Sequence, residues 1–298
     1  IPVIVDTWMK GLRDFDVETA YEAMYKSATT AGEHNFIRAD NDDYLGRGYV
    51  ALREKYDNSV SHSLEYYIAD NALSKFASAL GKKEDADRFM KQSLKYPVFY
   101  SKEYGVFRPI LPDGTFYSPF DPKQGENFED VPGFHEGSSW NYSFMVPHDV
   151  EGLIKMHGGK KKFVNKLQEV FDDGHYDPTN EPNIGYPFLF SYIKGEEWRT
   201  QQLTQELLEK HFKNSPDGLP GNDDTGTMST WAIFSMIGLY PDNPTDPSYT
   251  FTSPIFDKVK LNLDSDFYPN GELNIEVVRR SDNSKLIDKI VIDGKQIK

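Results

Sequence analysis

A mainly α fold that ends in a small β-structure is predicted by three features of the sequence. Apolar residues recur at a period of about 3.6 up to residue 240, the period falls to two from residue 249, and no βαβ alternation occurs. The last feature removes the nucleotide-binding α/β folds. Residues 16–30, "DVETAYEAMYKSATT", open with Asp16 at a capping position and put Ala20, Met24 and Ala28 on one face. Residues 59–94 read as a helical hairpin, with Gly81 stopping the first helix and the second starting near Glu84. Residues 96–134, rich in Pro, Gly and aromatic rings, form a long irregular segment, and a loop of that length inside a compact domain is usually functional. Helices resume after Ser138. Pro147 is expected to break the first and to open the second at its N1 position, with Gly158 as the stop. Further helices fit 161–173, 183–193, 196–212 and 225–239. Strands fit 249–256, 258–264, 272–280 and 285–298, with Asn270-Gly271 and Asp293-Gly294 as turns. The expected domains are thus a helical segment, 1–248, and a β-stranded one, 249–298. Helical hairpins separated by long loops suit part of an α/α toroid, whose loops build a site at one end, and equally suit a plain bundle. Periodicity leaves both open.

Bulk properties narrow the function. A chain of 298 residues has ample core for one large or two modest domains. The formal charge is −14 and no basic stripe offsets the 47 acids, which argues against a nucleic-acid partner. "KKK" at 160–162 reads as a solvated helix start. Apolar runs are too short for membrane insertion, and the start carries no basic region followed by an apolar one. With no cysteine there is no thiol catalysis, disulfide or thiolate metal site. The aromatic share, 14%, is high; acidic chains rich in rings suit carbohydrate, because C–H faces stack on rings and carboxylates bind hydroxyls.

Three loops carry acids beside glycine, proline or aromatic residues, each just before a helix. They are "HEGSSWNY" with Glu136, "YDPTNEPNIGYP" with Glu181, and "PDGLPGNDDTGTMSTW" with Asp223 and Asp224. Two of them have a plain reading: Ser138 or Ser139 capping one helix, Asp224 or Thr225 capping another. Three such loops together favour a site. Carboxylates distant in sequence on convergent loops are what glycoside hydrolysis requires, one protonating the leaving oxygen and the other activating water or attacking carbon. Residues around Asp224 could hold a water, and Trp140 and Trp231 could wall a pocket. Other motifs fail on inspection. "DNDDYLG" at 40–46 lacks the fifth, sixth and twelfth residues of a calcium loop, "HGGKKKF" lacks the phosphate-loop spacing, and the seven histidines show no HExxH. Asn141-Tyr142-Ser143 is a formal glycosylation sequon inside an expected helix, where use is not expected.

These residues resemble glycoside hydrolase family 92, the calcium-dependent exo-acting α-mannosidases. The resemblance runs from "KGLRDFDVETAYEAM" through "SVSHSLEYY", "EGSSWNYSFMVPHDVEGLIKMHGG", "NEP", "WRTQ" and "PDGLPGNDDTGTMSTWAIFSMIGLYP" to "SPIF" and "DGK". It implies an N-terminal β-sandwich with an (α/α)6 barrel, inversion at the anomeric carbon, Ca2+ gripping the mannose, and a secreted, periplasmic or cell-surface location. Glu136 matches the general acid and Asp224 the general base. Asn222 falls where many members have a second aspartate assisting the base, and Ser138 where "EGNAW"-type members have Asn. Glu181 matches a glutamate at the metal and substrate end, with Asn180, Asp223, Trp140 and Trp231 as expected substrate contacts. In an inverting pair the two carboxyl groups stand about 6.5–9.5 Å apart. Members are more than twice this long, so the chain is expected to be a C-terminal portion, with the N-terminal part of the same enzyme as its partner and a mannose-containing glycan as substrate. Two rivals remain. A carbohydrate-binding relative would keep Trp140 and Trp231 but tolerate loss of the acids; another inverting toroid glycosidase would keep the acids but not "VPHDVEGL" and "GNDD" in order.

Overall fold

The computed structural model describes residues 1–54, 57–126, 128–279 and 284–297. They form a mainly helical chain with short antiparallel strand pairs, as expected, and divide into two compact units: Ile1–Asn183 with Asn243–Pro247, and Ile184–Asp242 with Ser248–Lys298. The second unit groups the strands after residue 248 with two helices before it, so the units cut across the 248–249 boundary where periodicity changes.

In the first unit, α1 (Pro2–Met9), α2 (Val17–Thr29), α4 (Ser59–Ala79) and α5 (Lys83–Ser93) share one apolar core. Asp16 caps α2 by accepting the Thr19 amide at 3.0 Å. Tyr21, Met24 and Ala28 of α2 are buried, one residue wider than the expected stripe, and Ala20 packs at its edge. They meet Leu73, Phe76 and Ala77 of α4 and Phe89 of α5. Each such large side chain contributes about 1.5–3 kcal/mol when fully buried. Gly81 ends α4 at φ 78°, a left-handed turn that favours glycine, and the Lys82 amide closes back on the Ala77 carbonyl at 2.8 Å. Two helices were not expected. One is α1; the other is α3 (Asn41–Arg47), which winds up the rejected calcium-like stretch, with Arg47 and Arg53 both bonded to Asp43. Behind α4, buried Arg38 pairs with Asp70 at 2.8 Å, and the Tyr44 hydroxyl donates to the same carboxylate.

The long segment after α5 opens with a 3₁₀ turn, Tyr96–Phe99, and forms one tight pair, β1 (Tyr100–Ser101) with β2 (Val106–Phe107), followed by isolated bridges between Ile110 and Phe116 and between Val131 and Phe134. Then come α6 (Ser139–Tyr142), α7 (Val150–Met156) and α8 (Lys160–Asp172). Pro147 does not open α7. Asp149 does, accepting the Gly152 amide at 2.9 Å, because its carboxylate satisfies an amide that a proline start leaves open.

In the second unit the expected helix over 183–193 is instead a 3₁₀ segment, Tyr186–Tyr192. Pro187 offers no amide, and its carbonyl accepts the Thr200 hydroxyl at 2.7 Å. The segment packs on α9 (Glu197–His211), and α10 (Thr227–Ile237) follows. The strands are shorter than expected: β3 (Leu239–Tyr240) with β4 (Thr250–Phe251), β5 (Lys258–Asn262) with β6 (Glu272–Glu276), and β7 (Ile290–Ile292) with β8 (Lys295–Ile297). Asp293 and Gly294 both take positive φ, 48° and 76°, and make the two-residue hairpin turn the sequence suggested. Asn270-Gly271 instead closes a longer loop, the Leu263 amide donating to the Gly271 carbonyl at 2.8 Å. Arg280 and Lys298, the ends of two expected strands, lie outside the described residues.

Candidate active site

The loop before α6 is tied down at almost every peptide. The Gly133 carbonyl accepts the first amides of α4, from Val60 at 2.9 Å and Ser61 at 3.2 Å. The His135 amide donates to the Ser61 hydroxyl at 2.9 Å, the Tyr142 hydroxyl donates to the His135 carbonyl at 2.6 Å, and the Asn58 amide group bonds the His135 ring at 3.2 Å. The Asn180 side-chain amide donates to the Glu136 carbonyl. These bonds hold Glu136 at φ 47°, a left-handed conformation that costs an L-residue with a side chain about 1–2 kcal/mol. Gly137 is crowded too: a Cβ there would meet Asn141, Asn180 and Tyr142 at 3.2–3.3 Å.

The cap of α6 is made without Glu136. The Ser138 amide and hydroxyl both donate to the Asn141 Oδ1, at 2.8 and 3.0 Å, while Asn141 Nδ2 donates to the His175 carbonyl. Asn141 is buried in that role, at odds with use of its sequon. The Glu136 carboxylate is left 62% exposed, with the His135 Nε2 at 3.9 Å as its ion-pair neighbour. Burial, with the negative charges of Glu65, Glu136 and Glu181 added, pushes the Tyr142 phenol up to about 12, against a hydrogen bond from Ser61 that lowers it. Glu65 was not singled out by sequence reasoning; the available signal was an acid in the middle of the otherwise apolar "SLEYYIA".

Asn180 is buried and committed to Glu136, and Glu181 is exposed at the start of a 3₁₀ turn, Glu181–Asn183. Trp140 is only 6% exposed, stacked on His175 with ring centres 4.4 Å apart and with the Lys166 ammonium 4.2 Å from the Trp140 ring centre. In the second unit Trp231 is 3% exposed, stacked on Phe212, with its Nε1 donating to the Ile184 carbonyl at 3.0 Å. Both rings are core residues behind their loops, a correction to the expectation that they wall an open pocket.

The second acidic loop has its own strain. Asp224, Thr225 and Gly226 take consecutive positive φ values of 34°, 61° and 88°. Asp223 secures the start of α10: its carboxylate accepts the Ser229 hydroxyl at 2.6 Å and the Ser229 amide at 2.8 Å, and these bonds hold it below the usual carboxylate range. Asp223 therefore takes the capping role considered for Asp224, and both of its oxygens are occupied where a sugar contact was expected. The Asp224 backbone carbonyl accepts the Thr227 hydroxyl at 2.7 Å, and its side chain and that of Asn222 are exposed. Left-handed backbone at residues other than glycine concentrates at functional sites. Among the described residues only six such positions occur, and they include both Glu136 and Asp224.

Calcium binds about six to eight oxygens. Glu181 is a ligand of the right kind, but among the described residues no three His, Cys, Asp or Glu side chains come together as a metal site. A calcium held here would need backbone carbonyl or water oxygens beside Glu181.

The model of the glycosyl hydrolase family 92 catalytic domain matches residues 1–298. The chain belongs to that family. This family 92 chain is similar to a solved family α-mannosidase from Bacteroides thetaiotaomicron, with 30% identity and a TM-score of 0.87 over 99% of this chain and 38% of that one. It is similar to an inverting mannosidase of the family from the same organism, with 28% identity and a TM-score of 0.86 over 99% of this chain and 42% of the other. An uncharacterized secreted glycosidase from Arthroderma benhamiae is 27% identical over 294 residues, 87% of this chain and 37% of that protein. The family 92 chain thus spans less than half the length of these relatives, and its mainly α fold with a terminal β part is theirs.

Proposed function

We propose that this chain carries the acid and base with which a longer enzyme removes terminal α-linked mannose from glycans, with inversion at the anomeric carbon. The observation that carries the reading is the presentation of Glu136: three hydrogen bonds fix the backbone of residues 135 and 136, a fourth holds the His135 ring, and the carboxylate stays open with no capping duty. Glu136 is the general acid. It gives its proton to the glycosidic oxygen as the bond to C1 breaks, which spares the leaving sugar from departing as an alkoxide. Asp224 is the general base, taking a proton from the water that attacks C1 on the opposite face. Exposed Asn222 beside it orients that water through its amide, the place a second carboxylate takes in many relatives. Glu181 contacts the sugar, and the calcium that the family resemblance implies would take oxygens from elsewhere as well. Similarity to two family mannosidases, one of them inverting, supports the substrate and the stereochemistry.

A location outside the cytoplasm fits the secreted relative, and no helix among the described residues is long and apolar enough to cross a membrane. The test is proton NMR of the first-formed sugar when the protein, in its full natural length, cleaves α-linked mannobioses. β-Mannose appearing before mutarotation is the expected result. α-Mannose as the first product removes the inverting assignment, and no release from any mannobiose removes the proposed function.

A further inference from the structure

The helix that anchors the Glu136 loop also presents a carboxylate with no structural employment. Of the 21 residues of α4, 15 are buried; His62 and Glu65 are exposed on one side, three residues apart. Ser61, one turn before Glu65 on neighbouring helix surface, holds the His135 amide, so this edge of α4 lies directly beneath the loop that carries Glu136. Glu65 makes no hydrogen bond or ion pair among the described residues. It is open to water, yet enough protein crowds around it to push its carboxyl up from the ordinary glutamate range, with a smaller opposing pull from His62. Among the described residues no hydrogen bond or ion pair gives Glu65 a structural partner.

We infer that Glu65 is a substrate-contacting residue of the same site, accepting a hydrogen bond from a ring hydroxyl of the bound mannose. Burial first, and then the charges of Glu65, Glu136 and Glu181, raise the Tyr142 phenol, whose hydroxyl donates to the His135 carbonyl one residue before Glu136. A mannose ring offers only hydroxyls to such acceptors, and a carboxylate is the strong acceptor for them. Glu65 differs from Glu136 in footing. Glu136 sits on a strained loop where a proton has to be delivered, whereas Glu65 stands on a rigid 21-residue helix, a footing suited to fixing orientation.

This inference rests on the mannosidase reading, and the experiment separates the two. Inhibition of mannobiose cleavage by D-mannose and by its 2-, 3-, 4- and 6-deoxy forms is measured for the full natural protein and for its Glu65→Ala and Glu65→Gln variants, beside melting curves. The wild type should bind one deoxy sugar about 10- to 100-fold more weakly than mannose, the range of a hydrogen bond to a charged group. In Glu65→Ala that discrimination should shrink to within about threefold while melting stays unchanged, because alanine suits a helix interior. Glu65→Gln, which keeps shape and an acceptor oxygen, should fall between. Intact discrimination in both variants of an active enzyme overturns the Glu65 inference alone. An unmutated protein that neither cleaves mannobiose nor binds mannose overturns the reading beneath it.

Discussion

Replacing Asn180 with alanine should cost catalysis more than it costs the fold. The side chain is 5% exposed and its amide donates to the carbonyl of Glu136, a residue that its backbone holds at φ 47°. A neutral hydrogen bond contributes about 0.5–1.5 kcal/mol net, and left-handed backbone at a glutamate opposes it by about 1–2 kcal/mol. Without the bond, residue 136 is free to relax toward ordinary backbone, and about 1 kcal/mol of lost bias reduces the competent arrangement roughly fivefold. The freed carbonyl can find water, so the melting temperature should fall by only about 2–4 °C. The assay is steady-state kinetics on an α-mannobiose with a melting curve in parallel. A fall in kcat of about fivefold with KM unchanged is expected of a positioning residue. A raised KM with intact kcat would return Asn180 to the direct substrate contact expected from sequence, and intact kinetics with lowered melting would leave it a purely structural residue.

Asp224→Asn should lower kcat/KM by about 10²–10⁴ on activated aryl mannosides and mannobioses alike, since water must be deprotonated in both reactions; loss confined to one substrate would contradict the base role. His148, which burial lowers to about 4 while its Nε2 donates to the Ser93 carbonyl, should make stability pH-dependent. Unfolded histidine titrates near 6.5, so the unfolded chain binds more protons between the two values; this contribution is complete above about pH 6.5 and is lost as pH falls toward 4. Denaturant midpoints at pH 7 and pH 5 should reveal a loss of up to about 2 kcal/mol that His148→Gln lacks, and equal losses in both proteins would dismiss the histidine. Exhaustive chelation of the full natural protein should depress kcat/KM and added calcium should restore it; unchanged activity would remove calcium from the account.

What could be read from sequence was what depends on near neighbours. Asp16 as a cap, Gly81 as a helix stop and Asp293-Gly294 as a hairpin turn each act within a few residues, so their chemistry was visible in the string. The failures involve partners far along the chain. The stretch around Pro187 looked helical until the Thr200 hydroxyl engaged its carbonyl, and Trp140 looked like a pocket wall until His175 stacked on it. Of the site, the acids were legible as residue types in glycine-bearing loops. Their footing was not: Asn180 reads as a sugar contact because nothing local reports its bond to Glu136, and Glu65 reads as one more surface acid on a helix. Which side of α4 stays open is decided by everything that packs against it.

The central claim is that Glu136 delivers a proton, and Glu136→Gln tests it most directly. Glutamine preserves shape and removes the proton, and the α6 cap made by Ser138 and Asn141 does not involve this residue. A mannobiose leaves poorly without protonation, so kcat/KM on it should fall by about 10²–10⁴, while an activated aryl α-mannoside, which departs with little help, should lose much less. Melting should be unchanged. Equal losses on both substrates, in step with a lowered melting temperature, would contradict the assignment and make Glu136 a residue of the fold.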